Sequence, residues 1–306
     1  MRRLLLVGCG DIAWRALPRL VSRYRVHAVL RDAADCARWR DAGAVPLVAD
    51  LDCRRSLSRL AGIANDVLHL APPPGEGEAD LRTRRLLAAL LRPREGKSGN
   101  GATLPQRLIY ISTTGVYGDC GGTLIDETRR VLPQSARARR RLDAERQVRR
   151  LGKSGVLTSI LRVPGIYAED RLPLARIAAQ TPGLRAEDDV FTGHIHADDL
   201  ATLCLSALRR GRANRVYHAC DDSRLKMSDY FDLVAAAFAL PTPPRIGRKE
   251  AAQRLSPLQY SFMCESRRLD NRRLKKELKI RLRFPDAGRT IKAMAASADS
   301  GKSEIG

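Results

Sequence analysis

Over its first hundred or so residues the chain alternates short apolar runs with longer amphipathic ones. Leu4–Val7, Val26–Leu30, Val45–Ala49, Val67–Leu70 and Arg107–Ile111 are dominated by Leu, Val and Ile and read as strands, Leu4–Val7 as a buried one. Between them Asp11–Tyr24, Ala33–Ala42, Arg54–Ala61 and Leu81–Leu91 read as helices. Strand–helix alternation at this spacing predicts an α/β fold, a doubly wound parallel sheet with helices on both faces. Arg92–Pro105, rich in Gly, Lys and Ser, reads as an exposed loop, and residues 293–306 as a disordered tail.

Composition narrows the function classes. With 306 residues and 44% hydrophobic content the chain can bury a full core without disulfides or metals. No apolar run approaches the roughly 18 residues of a membrane span. Leu4–Val7 is also too short for the core of a signal peptide, so a cytoplasmic protein with no membrane partner is expected. The seven cysteines include no CxxC pair, and no metal site is expected. The formal charge of +21 is the unusual feature, and only nine of the 55 basic residues are lysine. Such a charge suits a polyanion. The arginines, however, run from Arg2 to Arg289 rather than in one block, and aromatics are only 5%. A small-molecule ligand, phosphorylated in keeping with the charge, is therefore expected ahead of nucleic acid or an anionic surface.

The strongest local signal follows the first strand. Gly8-Cys9-Gly10-Asp11-Ile12-Ala13 is a GxGxxA turn at a strand–helix junction. In such a turn the first glycine makes the bend and the second lets backbone approach a pyrophosphate. The third small residue lets the helix pack on the strand. The free N–H groups of the helix start then face the phosphates. At the end of the second strand stand Leu30, Arg31 and Asp32. Arg31 could grip a 2′-phosphate, which favours NADP over NAD; Asp32 lies one residue late for the ribose hydroxyls. Asp50 and Leu51 follow the third strand, and Ala71 and Pro72 the fourth, so all four are candidate cleft residues, with Asp50 placed to meet the adenine amino group. His69, inside the strand, reads as a packed histidine.

Later segments match one family. Ile111-Ser112-Thr113-Thr114-Gly115-Val116-Tyr117-Gly118 resembles the "SS-x-x-VYG" block of the extended short-chain dehydrogenase/reductases. Leu161–Tyr167 is similar to their "LR-x-x-x-x-YG" segment, Ile195–Ala201 to "IH-x-D-D-x-A", and Val216–Ala219 to the strand that follows. The order holds over roughly residues 3–240. The resemblance implies a Rossmann domain, placed at 1–165, and a smaller α/β substrate domain at 166–292, interleaved with the first. It implies an NAD(P)-dependent oxidoreductase or a nucleotide-sugar epimerase or dehydratase. It also places the catalytic Ser/Thr at Thr113. Anchored on Glu145, the family's Tyr-x-x-x-Lys pair falls on Arg137 and Arg141. The spacing survives and the tyrosine does not. Arginine is effectively always protonated and makes a poor general acid or base. Arg141 could still hold ribose hydroxyls or stabilise negative charge, so it is both a cofactor-binding and a catalytic candidate. Tyr117 is the candidate replacement acid, with packing as its plainer role. His196 reads as a helix or loop anchor.

Three functions follow: an atypical NAD(P)-dependent enzyme acting by hydride transfer, a non-catalytic NADP(H) sensor, or a binder of nucleic acid or anionic surfaces. The seven arginines between Arg137 and Arg150 disfavour a dimer through that helix, so a monomer, or a dimer formed elsewhere, is expected.

Overall fold

Seven parallel strands form the middle of the structure, a computed structural model that describes residues 1–92 and 104–303. They are β1 (Arg2–Val7), β2 (Tyr24–Leu30), β3 (Val45–Val48), β4 (Asp66–His69), β5 (Arg107–Thr113), β6 (Leu157–Val163) and β7 (Arg215–His218). The spatial order is β7-β6-β5-β4-β1-β2-β3, and every neighbouring pair is parallel. The chain runs outward from β1 to β3, then returns to β4 on the other side of β1. That reversal makes the crevice above the β1 and β4 carboxyl ends the topological switch point.

The central apolar runs form strands because both sheet faces are covered there, whereas β3, at the sheet edge, is only half-buried and leaves Val48 exposed. Leu4, Leu5, Leu6 and Val7 are fully buried and alternate between two layers. Leu4 and Leu6 pack with Leu17 and Leu20 of helix α1 (Asp11–Val21), while Leu5 and Val7 share a cluster with Leu86 and Leu90 of the helix that spans Leu81–Leu90. Each such side chain contributes about 1.5–3 kcal/mol of burial.

After α1 the helices are α2 (Cys36–Asp41), α3 (Leu81–Leu90), α4 (Ala136–Lys153), α5 (Leu174–Ala178) and α6 (Ala197–Arg210). They continue as α7 (Met227–Ala237), α8 (Arg248–Arg254), α9 (Pro257–Phe262), α10 (Arg272–Leu278) and α11 (Ala287–Ser303). A separate apolar cluster of Tyr167, Ile177, Tyr230, Val234, Ile246, Ile291 and Met294 joins α5, α7 and α11.

Several expected elements are corrected. The first helix stops at Val21, because Tyr24 is already in β2, buried and paired with Arg2. The run 33–42 divides into a 3₁₀ turn, Ala33–Asp35, and the shorter α2. The helix expected at 54–61 is a 3₁₀ run, Arg54–Leu60; its three-residue turn puts Leu57 and Leu60 on one side, where both are buried. The tail expected from residue 293 is instead helical to Ser303, because Ile291, Met294 and Ala295 lie at helical spacing and are buried. Residues 304–306, and residues 93–103 of the expected loop, lie outside the described residues.

Candidate functional site

Gly8 decides the geometry of the switch point. Its φ is +91°, and a β-carbon there would fall 2.2 Å from the Ala71 backbone nitrogen. The Val7 carbonyl accepts from the N–H groups of Leu70 (2.7 Å) and Ala71 (3.2 Å), which clamps the β1 and β4 ends together. Gly10 is the opposite case. It caps α1 with extended backbone, and nothing lies within 4 Å of where its β-carbon would stand. Open space therefore fronts the α1 N-terminus. Ala13, one turn in, is fully buried against the sheet, and Ile12 is packed at its edge.

A cleft of about 500 Å³ opens above these turns. Gly8, Gly10, Arg31, Asp50, Leu51, Ala71 and Pro72 all line it, as does Arg82, which the sequence did not single out. Arg31 makes no hydrogen bond or ion pair among the described residues. Asp32 also lines the cleft, but its carboxylate accepts from the Ala34 N–H at 2.9 Å. Asp50 Oδ1 likewise accepts from Asp52 N–H at 2.9 Å. Asp11 stands where an anion would meet the helix start, yet its charge is matched. Arg15 Nε donates to it at 2.7 Å and Arg171 at 2.9 Å.

A second cleft of about 520 Å³ lies at the carboxyl ends of β5 and β6, roofed by α7 and the residues after α9. Thr113 and Arg141 both line it. Thr113 Oγ1 accepts from Gly115 N–H at 3.2 Å. Arg141 Nη1 donates to Tyr110 Oη (3.0 Å) and to the Ile111 carbonyl (2.7 Å), which fixes its stem against β5. Arg137, Arg171, Arg176 and Arg267 line the same cleft, facing one carboxylate, Glu265. Glu265 accepts from Arg267 Nη1 at 2.7 Å. A β-carbon on Gly115 would sit 3.6 Å from Thr113 Oγ1 and 3.7 Å from Glu265 Oε2, so hydroxyl and carboxylate flank one spot. Burial lowers the proton affinity of Arg137; Glu265 opposes this, and Arg141, Arg267 and Arg140 reinforce it. His194 is buried at the cleft wall, stacked on Tyr230, and burial holds its pKa near 4.

Tyr117 is corrected as a catalytic candidate. It is 1% exposed, lines neither cleft, and its hydroxyl lies 2.6 Å from His218 Nε2. His218 Nδ1 lies 3.0 Å from the Asp270 carbonyl, which can only accept, so Nδ1 carries the proton and Tyr117 donates to Nε2. Burial pushes the Tyr117 hydroxyl up to about 12, and Arg162 stacks on its ring at 4.6 Å. Arg162 is held in turn by two hydrogen bonds to buried Glu145, at 3.0 and 2.7 Å. The anchor on Glu145 is thus an ion pair joining α4 to β6. His69 is fully buried against Thr83 at 2.8 Å, and His196 accepts from Asp198 N–H at 3.2 Å to cap α6.

Glu265, Arg267, Arg176 and His194 escaped the sequence reading. They come from segments more than fifty residues beyond Thr113, with no motif of their own, and only the fold brings them to β5.

Comparison with known proteins agrees with this architecture. The RmlD substrate binding domain model matches residues 100–284. A functionally unknown conserved protein from Silicibacter pomeroyi is 26% identical, with a TM-score of 0.77 over 97% of this chain and 99% of that one. MoeE5, solved in complex with UDP-glucose and NAD, is 18% identical, with a TM-score of 0.73 over 98% and 99%. The UDP-glucose 4-epimerase of Thermotoga maritima, solved with UDP-glucose, is 15% identical, with a TM-score of 0.75 over 98% and 99%. No curated protein matches the chain. A parallel sheet reversing at Gly8, a Thr113-bearing fifth strand and a matched stretch covering more than half the sequence all agree: the chain belongs to the RmlD substrate binding domain family, within the extended short-chain dehydrogenase/reductases.

Proposed function

We propose that this protein binds NAD(P), with NADP preferred, and uses it on an anionic small molecule that occupies the second cleft. The observation that carries this reading is the contrast between Gly8, pressed on Ala71, and Gly10, open to the cleft at the start of α1. One glycine closes the strands; the other leaves the backbone bare where a pyrophosphate would sit. Gly8, Gly10, Asp11, Ile12 and Ala13 would form the phosphate turn. Arg31 would take the 2′-phosphate, with Asp50, Leu51, Ala71 and Pro72 along the adenosine half. Arg141, beside Thr113, would hold the nicotinamide ribose. A bound nicotinamide supplies or accepts hydride at its C4. Residues 1–165 would then carry the nucleotide, and residues 166–292 the substrate, with β7 and α6 returning to the sheet.

The relatives solved with UDP-glucose suggest a nucleotide sugar as one anionic substrate. Thr113 would hydrogen-bond the reacting oxygen and Arg141 would stabilise negative charge on it. A non-catalytic NADP(H) sensor is the second reading, favoured by Arg137 at the position of the family's tyrosine.

Titration of the purified protein with NADPH and NADH, followed by fluorescence, tests the cofactor. Gly10→Asp is the discriminating variant, because its side chain has room to fold yet places a carboxylate at the α1 N-terminus. NADPH binding that is abolished in Gly10→Asp supports the reading, and absence of binding to either nucleotide overturns it. Turnover of NADPH with any carbonyl substrate then separates enzyme from sensor.

A further inference from the structure

We propose that Arg137, Arg141 and Arg267 form a site for a compact, doubly charged oxyanion, a phosphoryl group or a dicarboxylate, at the Thr113 end of the second cleft. Three arginines line the cleft there, from α4 and from the segment after α9, and the charges of Arg141 and Arg267 both act against that of Arg137. Their one acidic companion in the cleft wall is Glu265, already bound by Arg267. Among the described residues Arg137 and Arg141 have no ion-pair partner, and Glu265 acts on Arg137 only at longer range. A phosphate monoester carries about −1.5 to −2 at pH 7 and three acceptor oxygens, which suits them. Guanidinium forks bind phosphate and carboxylate through paired N–H donors.

Arg137 makes the case sharpest. Its side chain is half-buried and lies over the Phe262 ring at 4.2 Å. Among the described residues it makes no hydrogen bond or ion pair, although it carries five N–H donors. Phe262 is itself 43% exposed, so the stacking holds no core together. A partly desolvated cation without an ion-pair partner costs stability. Local departures of this kind concentrate at sites where a ligand supplies the missing partner. Thr114, whose hydroxyl oxygen lies 3.4 Å from Arg267 Nη2, and Thr113 add neutral donors at the same end.

The site rests on the proposed function in one respect. If Thr113 marks the reacting oxygen, the charged group of the substrate lies beside its reacting carbon, as in an oxo or hydroxy dicarboxylic acid or a phosphorylated carbonyl compound. Anion binding itself needs no nucleotide.

Thermal unfolding in sodium phosphate, in sodium malonate and in sodium chloride of equal ionic strength tests the site. Wild type is compared with Arg137→Gln and with Arg150→Gln, which removes an exposed arginine of α4 outside the cleft. Phosphate or malonate should raise the unfolding midpoint of wild type and of Arg150→Gln above that in chloride. Arg137→Gln should weaken the response about tenfold in anion concentration, yet unfold no lower than wild type in chloride. The stronger of phosphate and malonate identifies the charged group. Four results would overturn the site: no rise beyond chloride, an unaltered response in Arg137→Gln, an equal loss in Arg150→Gln, or a marked drop in the Arg137→Gln midpoint without anion. An anion response in a protein that binds no NADPH would retain this site and reject the proposed function.

Discussion

Gly8 and Ala71 touch so closely that the first has no room for a side chain: a β-carbon on Gly8 would lie 2.2 Å from the Ala71 nitrogen, and its φ of +91° is one that side chains disfavour. Gly8→Ala should therefore cost about 1–3 kcal/mol from the backbone conformation alone, with more from the parting of β1 and β4. Chemical denaturation reads this as a lower midpoint. An unchanged midpoint would mean that the two strand ends separate freely.

Arg31 supplies a test of cofactor preference. It lines the first cleft and makes no hydrogen bond or ion pair among the described residues. A charge-assisted contact to a 2′-phosphate is worth about 1.5–3 kcal/mol. Arg31→Ala should weaken NADPH roughly tenfold to a hundredfold and leave NADH unchanged in the same titration. Equal losses for both would remove Arg31 from the 2′-phosphate role.

The Arg162–Glu145 pair is buried on both sides, with side chains 4% and 1% exposed. Burial works against the charge of Arg162, and its hydrogen bonds and attraction to Glu145 more than offset that. Glu145→Gln strands the cation and should cost about 3–5 kcal/mol, whereas Glu145→Leu with Arg162→Met should cost less than either single change. Equilibrium unfolding of the singles and the double closes the cycle; additive losses would reject the coupling.

Three of the five buried histidines contribute a pronounced pH dependence. Burial lowers His69 to about 3, and His194 and His218 to about 4, from 6.5 in the unfolded chain. Between these values the unfolded chain binds protons that the folded protein does not. Their contribution is full above about pH 6.5 and falls as pH drops towards 4, by about 1.4 kcal/mol per pH unit for each imidazole. Asp221, raised by burial to about 8, works in the opposite sense over the same range. His194→Phe should flatten the pH profile of stability between 6.5 and 4. An unaltered slope would place that histidine in water.

Met294 tests the last helix. It is buried in the cluster with Ile291 and Tyr230. Met294→Ala should cost about 2–5 kcal/mol in thermal unfolding. A change within the scatter of surface substitutions would show the helix end to be undocked.

Local sequence determined the strands, their parallel arrangement and the glycine turn. A run buried on both faces must be continuously apolar, and a turn at a phosphate must be free of side chains. Leu4–Val7 and Gly8–Gly10 carry those demands in consecutive residues. The resemblance to the family put Arg141 and Glu145 on one helix, and the structure shows them meeting β5 and β6. Short-range pattern was ambiguous where helix type depends on burial: Leu57 and Leu60 fit a 3₁₀ turn as well as an α-helix, and Met294 looked like tail until α7 was there to receive it. The second cleft was beyond local pattern altogether. Arg137 lies on Phe262 without an ion pair, and Glu265 is taken by Arg267, only once the segment after α9 is folded beside α4; Tyr117 loses its catalytic candidacy because folding buries it away from both clefts, its hydroxyl donating a hydrogen bond to His218, a hundred residues away in the chain. Charge balance and access to solvent are properties of the packed molecule, because they depend on neighbours that the chain brings together from afar.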